Sequence, residues 1–342
     1  MMRGFSLAAA QGLLVLSSLG SSAFAQSAVD FTGKTVTVLS SFASGGGYDT
    51  YARLYAAHAG RHIPGQPTVI VRNMPGAGGL VGANYLYSVA PKDGTMLGVI
   101  PQNVATAQLL GSAGVKYDVA AFNWIGRINS NVEVQQIWHS SPVKTIADAK
   151  THPVVVAGTG PDSSSVVFPR ILNDMFGTKF KVVSGYEGVS MVTLAMERGE
   201  VESVARPWAI TKTVHPDWLS EHKITLLVQY TVERHPELQD IPAVVDLAQN
   251  ETQRQILSLY ASGSDIGRSI VAPPGLSAEI VASARRAFDQ TMQDQGFLDD
   301  IKRNDLDFDM ISGQRLQDIV KKIQNIDASV IESARQFSIN RN

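Results

Sequence analysis

The sequence contains no cysteine and no run of basic residues, and each absence excludes a class of protein. Without cysteine there are no disulfides, no thiolate metal ligands, no cysteine nucleophile and no lipid-modified cysteine at a mature N-terminus. Only 18% of the 342 residues are charged and the formal net charge is −2, so we expect no basic surface for nucleic acid or anionic lipid. Nucleic-acid binding and adhesion to anionic membranes are therefore not expected.

Long apolar runs are also missing, and the one at the N-terminus is too short to span a bilayer. Leu7 to Leu19 falls below the roughly 20 apolar residues that a membrane helix requires. It lies between Arg3 and Ala23-Phe24-Ala25, which is the arrangement of a secretory signal with cleavage near Ala25. Losing Arg3 changes the net charge from −2 to −2 − 1 = −3. We expect residues 1–25 to be this signal, a periplasmic location, and no membrane insertion of the mature chain.

After the predicted signal, short β-branched runs alternate with amphipathic segments. Val36 to Leu39 has the composition of a buried strand, and it is followed by three glycines and a helix that starts near Asp49. This alternation predicts an α/β protein with largely parallel sheets and helices on both faces. No polar linker divides the chain, so two lobes interleaved along the sequence are expected.

Three loops follow predicted strands and open predicted helices. They are Phe42 to Asp49, Asn73 to Gly79, and Gly158 to Ser165. Such loops gather at the carboxyl ends of the strands, where glycine N–H groups and helix N-termini attract anions. The loops therefore predict a site for a carboxylate or phosphate. The alternatives are tight turns without a ligand, and serines that only cap helices.

Catalytic and cofactor motifs are absent from these loops. Three consecutive glycines are not the dinucleotide fingerprint, no Gly-Lys-Ser/Thr follows a glycine loop, and no Gly-x-Ser-x-Gly occurs. His58 and His62 have helical spacing but no nearby acidic residue that would complete a zinc motif, so we expect solvated surface histidines. We expect no metal and no cofactor. A secreted hydrolase that uses the serine loop is the enzyme alternative.

Several segments carry a resemblance to a known family: SFASGGGYDTYARL, NMPGAGGLVGANYL, VVVAGTGPDSSS and IVAPPGLSAEIV. In this order they resemble the Bug-type solute receptors, the periplasmic binding proteins of tripartite tricarboxylate transporters. The resemblance implies a type II periplasmic-binding-protein fold, with two doubly wound α/β lobes joined by two crossing segments and a ligand cleft between them. We expect lobe one at residues 29–122 plus 231–342 and lobe two at residues 123–230. A monomer that works with membrane transporter subunits is expected.

The resemblance also implies a set of ligand-binding residues. One ligand carboxylate is expected at the first two glycine loops, held partly through ordered water, by Phe42, Gly46, Gly47, Tyr48, Asp49, Ala77 and Gly78. The distal end of the ligand is expected at the third loop, where the corresponding residues are Thr159, Gly160, Ser163, Ser164 and Ser165.

The sequence departs from the family pattern at Arg206, where the family often has an aspartate that faces the cleft. An arginine offers a bidentate fork to a second carboxylate, so we hypothesise a ligand with two anionic groups. Tyr48 and Trp208 are expected to flank a flat or aromatic body. The alternatives are a salt bridge from Arg206 to Glu202 or Glu187, and ordinary lobe packing for the two aromatic residues.

The sequence thus predicts a periplasmic solute-binding protein with no chemistry of its own. Its ligand would be a small di- or tricarboxylate, aromatic acids included, which it delivers to a membrane transporter. Besides the hydrolase, one further alternative keeps the receptor but makes its partner a sensor kinase.

Overall fold

A computed structural model describes residues 1, 29–158, 163–186 and 189–337, and the predicted signal lies outside the described chain except for Met1. Within these residues the strands are β1 (Thr35–Ser40), β2 (Thr68–Asn73), β3 (Met96–Val99), β4 (Asn123–Asn129), β5 (Glu133–Trp138), β6 (Val154–Gly158), β7 (Phe180–Ser184), β8 (Ser203–Pro207), β9 (Ile224–Gln229), β10 (Arg268–Ala272) and β11 (Ile311–Ser312).

The α-helices of the same residues are α1 (Gly47–Ala59), α2 (Leu80–Ser88), α3 (Val104–Leu110), α4 (Ile146–Thr151), α5 (Ser164–Phe176), α6 (Val189–Glu197), α7 (Trp208–Val214), α8 (Pro216–Ser220), α9 (Glu251–Ala261), α10 (Gly263–Ile266), α11 (Ala278–Met292), α12 (Gln295–Arg303), α13 (Gly313–Gln324) and α14 (Ala328–Arg335). Short 3-10 helices occupy Gly60–His62, Ala77–Gly79, Pro236–Leu238 and Val244–Leu247.

The strands form two sheets, as expected for two α/β lobes. The first has the order β11-β4-β10-β3-β1-β2 and the second the order β7-β6-β8-β5-β9. In the first sheet β1 is parallel to β2 and β3, and in the second β6 is parallel to β7 and β8. The sheets are therefore mixed, and less uniformly parallel than the sequence predicts.

One inner strand of each sheet runs against its neighbours. β10 is antiparallel to both β3 and β4, and β5 is antiparallel to both β8 and β9. Consequently the first residue of each reversed strand, Arg268 or Glu133, lies at the edge where the neighbouring parallel strands end. This is the edge at which α/β sheets bind ligands. We call the space between these two edges the cleft.

Both sheets are covered on both faces, which is the doubly wound arrangement that the sequence predicts. On the first sheet, α1, α11 and α12 pack over one face around Tyr55 and Phe288, and α2, α3 and α13 pack over the other around Leu86. On the second sheet, α5 covers one face through Phe168, whereas α6 and α8 cover the other through Trp218.

Two segments lie with the other lobe than expected. β4, predicted as the start of lobe two, pairs with β10 and β11 in the first sheet. The segment after Tyr230 was expected in lobe one, yet Val244 and Leu257 pack against Phe168 in the core of the second sheet. Hydrophobic patterns show that a segment is buried but not which sheet it packs against. For this reason the predicted lobe boundaries at 122/123 and 230/231 differ from the assignment of segments to the two sheets.

Candidate functional site

The first glycine loop connects β1 to α1 and exposes the start of that helix. Gly45 has φ 87°, a left-handed conformation that glycine adopts without strain, and Gly46 is the N-cap of α1. Because Gly46 has no side chain, it cannot accept a hydrogen bond from the N–H groups of the first helical turn. These N–H donors, together with the positive end of the helix dipole, remain available to an anion.

Asp49 holds this loop in shape. Its carboxylate accepts hydrogen bonds from Gly45 N at 2.9 Å, Ser44 Oγ at 3.1 Å, Arg53 Nε at 2.9 Å and Asn73 Nδ2 at 2.7 Å. Burial acts to raise the pKa of Asp49, but these hydrogen bonds outweigh it and lower the pKa to about 2. Asp49 is therefore an ionised loop anchor whose acceptors are occupied, and a direct ligand contact by it stays a prediction.

The second glycine loop lies beside the first. Asn73, at the end of β2, donates to the carbonyl of Phe42 at 2.9 Å, and a β-carbon at Gly79 would lie 3.0 Å from Cζ of the Phe42 ring. Ala77 and Gly78 are exposed and have φ values of 46° and 63°. A left-handed alanine is strained, and such strain is most often found at binding loops. The structure thus brings the two loops together.

Tyr48 and Phe42 form an aromatic pair on the first loop. Their ring centroids are 4.3 Å apart with an interplanar angle of 22°, and the Tyr48 hydroxyl accepts a hydrogen bond from Gln102 N at 3.1 Å. Burial raises the pKa of Tyr48 to about 12, so the phenol is neutral at physiological pH. The pair gives the first-sheet side of the cleft an apolar wall that can contact a flat ligand.

The third loop leads from β6 into α5. Thr159 and Gly160 lie outside the described residues. Ser163 is the N-cap of α5, and its hydroxyl is 2.8 Å from that of Ser165. Ser164 donates its hydroxyl to the carboxylate of Glu133. The start of α5 therefore lies next to the reversed strand of the second sheet.

Arg206 and Trp208 are both buried in the second lobe, in different surroundings. Arg206 is 1% exposed, donates from Nη1 to Thr193 Oγ1 at 3.2 Å, and has its Cζ 5.1 Å from the centroid of the Trp218 ring. Burial lowers its pKa to about 10. Its Nε and Nη2 have no hydrogen-bond partner among the described residues. Trp208 donates to Glu237 Oε2 at 2.6 Å and packs in the lobe core, as in the packing alternative.

The sequence reasoning missed Glu133 and Arg268, which begin the two reversed strands. Burial raises the pKa of Glu133 to about 7, although the hydrogen bond from Ser164 and the positive charge of Arg268 act to lower it. Arg268 is 4% exposed, and its guanidinium lies against Gly47 and over the Tyr48 ring. Because the positive charge of Arg268 acts on the pKa of Glu133, the two side chains lie within electrostatic range of each other. In each case the sequence signal was a charged residue at the start of a short strand.

His58 and His62 take part in an ion-pair network between helices. His58 Nε2 is 2.8 Å from Asp300 Oδ2, and His62 Nε2 is 2.9 Å from Asp294 Oδ2. His58 is only 7% exposed, so the expectation of a solvated surface histidine is wrong for this residue.

In the described part of the chain no group of three or more histidine, cysteine or acidic side chains is placed to hold a metal ion. None of the helices described there has the length and apolarity of a membrane span.

The family model of the tripartite tricarboxylate transporter family receptor matches residues 52–335, more than half of the chain. The chain is similar to the UPF0065 protein in the gbd 5′ region of Cupriavidus necator, with 26% identity over 335 residues that cover 95% of this chain and 94% of that protein.

Solved structures are also similar to the chain, among them the following two. One is the periplasmic binding protein BugD, with 19% identity, a TM-score of 0.66, and coverage of 88% of this chain and 97% of that one. The other is Rpa4515 of R. palustris, solved with adipate, with 21% identity, a TM-score of 0.65, and coverage of 89% and 98%. At these identities the likeness shows a shared fold, and it confirms the predicted two-lobed binding-protein architecture.

Proposed function

The chain belongs to the tripartite tricarboxylate transporter receptor family, and from that premise we propose that it captures a small dicarboxylate in the cleft between its two sheets. The observation that carries the proposal is a pair of helix N-termini, those of α1 and α5, each at the edge of its sheet where the parallel strands end, with Arg268 against the first turn of α1. Main-chain N–H groups and a buried guanidinium are strong donors to a carboxylate. Rpa4515, which shares the fold, was solved with a dicarboxylate.

Arg206 is the proposed contact for a second carboxylate. Its Nε and Nη2 are buried without a partner among the described residues, and a buried charge of this kind is strongly stabilised when an anion binds it. The alternative partner Glu202 accepts from Val155 N at 3.1 Å instead. Glu187 lies outside the described residues. Tyr48, paired with Phe42, is the proposed flanking ring for a flat ligand body.

Delivery of the acid to a membrane transporter, after export and cleavage near Ala25, completes the proposal. A ligand that contacts both lobes favours the closed arrangement by its difference in affinity for the two states. The protein then acts by binding and release, and water trapped between the glycine N–H groups and the ligand serves nearly as well as direct hydrogen bonds.

A thermal-shift screen of the chain without its predicted signal tests the proposal. The compounds are acetate, succinate, adipate, citrate and terephthalate, with adipamide as a neutral control of adipate's shape. A ligand at 100 times its Kd stabilises the folded state by about 2.7 kcal/mol, so at least one di- or tricarboxylate should raise the melting temperature and adipamide should not. If no carboxylate raises it, the proposed function is wrong.

A turnover assay on 4-nitrophenyl acetate and butyrate tests the hydrolase alternative. A binding protein is expected to release no nitrophenol above the buffer rate. Enzyme-dependent release that disappears in Ser164→Ala would favour the hydrolase.

A further inference from the structure

Arg268 is a buried cation whose hydrogen-bond donors the protein does not match. Its side chain is 4% exposed, and Nε and Nη1 of its guanidinium are buried with no hydrogen-bond partner among the described residues. Leaving a buried charged donor without an acceptor destabilises a fold. A position of this kind is therefore expected to have a role that outweighs its cost.

Arg127, in the adjacent strand β4, is a buried arginine of the same sheet that has a structural role, and it serves as a comparison for Arg268. Its Nη1 donates to the carbonyl of Asp265 at 2.8 Å, and its Nη2 donates to the carbonyl and carboxylate of Asp309 at 3.0 and 3.1 Å. These contacts join separate segments of the first lobe. Arg268 makes no hydrogen bond or ion pair of this kind within the described residues, so its charge is not used to hold the lobe together.

The surroundings of Arg268 direct its guanidinium toward the cleft. A β-carbon at Gly47 would lie 2.8 Å from its Nη2, so the group lies directly against the first turn of α1. The rings of Tyr48 and Tyr51 flank it, with centroids 5.6 and 5.1 Å from Cζ. The guanidinium therefore lies beside the N–H groups of the first turn of α1, and its positive charge acts to lower the pKa of Glu133 in the second sheet.

We propose that Arg268 binds the first carboxylate of the ligand, with the N-terminus of α1 as the second group of donors. This role of Arg268 rests on the proposed function and deepens it. It assigns to one side chain the preference for an anion at the part of the cleft formed by the first lobe. A planar guanidinium pairs with a carboxylate through two parallel hydrogen bonds, which main-chain N–H groups and water alone do not provide. The two tyrosine rings fix the plane of the fork, and Gly47 leaves the room for it.

The test compares Arg268→Met and Arg268→Lys with the matched buried control Arg127→Met. Melting temperature without ligand is measured for each variant, and Kd is measured by titration calorimetry for adipate or, if adipate does not bind the wild type, for the carboxylate with the largest thermal shift. Arg268→Met is expected to weaken binding at least tenfold while its ligand-free melting temperature stays the same or rises, because an unmatched buried charge is removed. Arg268→Lys should bind with intermediate affinity. Arg127→Met should melt lower and, once folded, keep the wild-type Kd.

The outcomes separate the two proposals. If the wild type binds a carboxylate and Arg268→Met binds it equally well, the role of Arg268 is wrong and the proposed function stands. If Arg268→Met loses ligand-free stability as Arg127→Met does and Arg268→Lys binds like the wild type, Arg268 is a structural residue. If the wild type binds none of the carboxylates, the proposed function fails and the role of Arg268 fails with it.

Discussion

At the scale of single residues, the charged side chains near the cleft differ in how many of their hydrogen-bonding atoms have a partner within the protein. Asp49 is ionised and accepts hydrogen bonds from its own loop, from α1 and from Asn73, whereas Arg268 and Arg206 each keep two buried nitrogens without a partner among the described residues. Asp49 anchors the loop, and the two arginines are the groups that we propose an anionic ligand contacts. Sequence alone assigned Asp49 and Arg206 to the same ligand, because residue type does not show which charges are already matched.

Asp49→Asn tests the anchor role through the pH dependence of stability. The pKa of Asp49 is lowered from 3.8 to about 2 in the folded protein, so its ionised form stabilises the fold above pH 3.8, and this stabilisation is lost as the pH falls from 3.8 through about 2. The variant is expected to be less stable by about 2 kcal/mol at pH 7, with the difference shrinking toward pH 2. Urea unfolding at pH 7, 5 and 3 measures it. The exposed Asp240→Asn is the control, and a pH-independent difference would contradict the anchor role.

Glu133 should make carboxylate binding depend on pH. Its pKa is raised to about 7 by burial, so above that pH it carries a negative charge within electrostatic range of Arg268, and this charge should repel a carboxylate bound there. Affinity for the carboxylate probe should therefore increase as the pH falls from 8.5 to 6. Glu133→Gln should bind on the order of tenfold more tightly than the wild type at pH 8.5, since like charges in a protein interior repel by about 1–2 kcal/mol, and about equally at pH 6. Calorimetry at both pH values measures these affinities, with Glu233→Gln as the control variant. Tighter binding by the wild type than by Glu133→Gln at pH 8.5 would mean that Glu133 holds the ligand directly.

At the scale of elements, the loops and helix starts were readable from the sequence and the reversed strands were not. The glycine loops contain positions with positive φ or without room for a β-carbon, and glycine in the sequence indicates such positions directly. Ser277 and the Thr145–Asp148 pair have the residue types and spacing of helix starts, and in the structure they cap α11 and α4. By contrast, Arg268 and Glu133 reach the cleft only because β10 and β5 run backwards. A short strand has the same composition in either direction, so no local signal placed them there.

The same limit explains a difference at the C-terminus. The sequence predicts one long helix from near Ser312, because its apolar residues keep helical spacing through Ile331. In the structure α13 ends at Gln324, and α14 begins after Asp327. Hydrophobic spacing is preserved across the break because both helices face the same core around Leu316 and Val330.

Gly47→Ala tests how tightly the first turn of α1 is fitted to Arg268. The added methyl would lie 2.8 Å from Nη2 of the buried guanidinium and must displace it, whereas in Gly46→Ala the nearest atom is the carbonyl oxygen of Ala43 at 3.9 Å. Gly47→Ala is expected to weaken carboxylate binding roughly tenfold, the loss of one charged hydrogen bond, with Gly46→Ala close to the wild type. Kd values from calorimetry decide it, and equal losses in both variants would contradict the fit.

At the scale of the whole molecule, the two lobes are linked by an ion pair as well as by the crossing segments. Lys212 on α7 binds Asp307 at 3.0 Å, and the carbonyl of Asp307 accepts from the Tyr51 hydroxyl on α1 at 2.7 Å. This contact connects a helix of the second lobe to the first lobe. It is partly exposed and contributes little to stability, but it exists only when the lobes are close.

Lys212→Ala should therefore change the shape of the ligand-free protein more than its stability. Small-angle scattering is expected to give a larger radius of gyration than for the wild type without ligand, and the same value once the carboxylate probe is saturating. Lys223→Ala is the matched control, because its partners Asp217 and Glu221 are on or next to α8 of the same lobe. Scattering from Lys212→Ala that matches the wild type without ligand would contradict a role in closure.

The most direct measurement is a crystal structure of the protein with the carboxylate that gives the largest thermal shift. The account predicts one carboxylate within hydrogen-bond distance of Arg268 and the N–H groups that open α1, and the other end of the ligand next to the start of α5 in the opposite lobe. A ligand bound outside the space between the two sheet edges, or one held there with Arg268 turned away from it, would contradict the account.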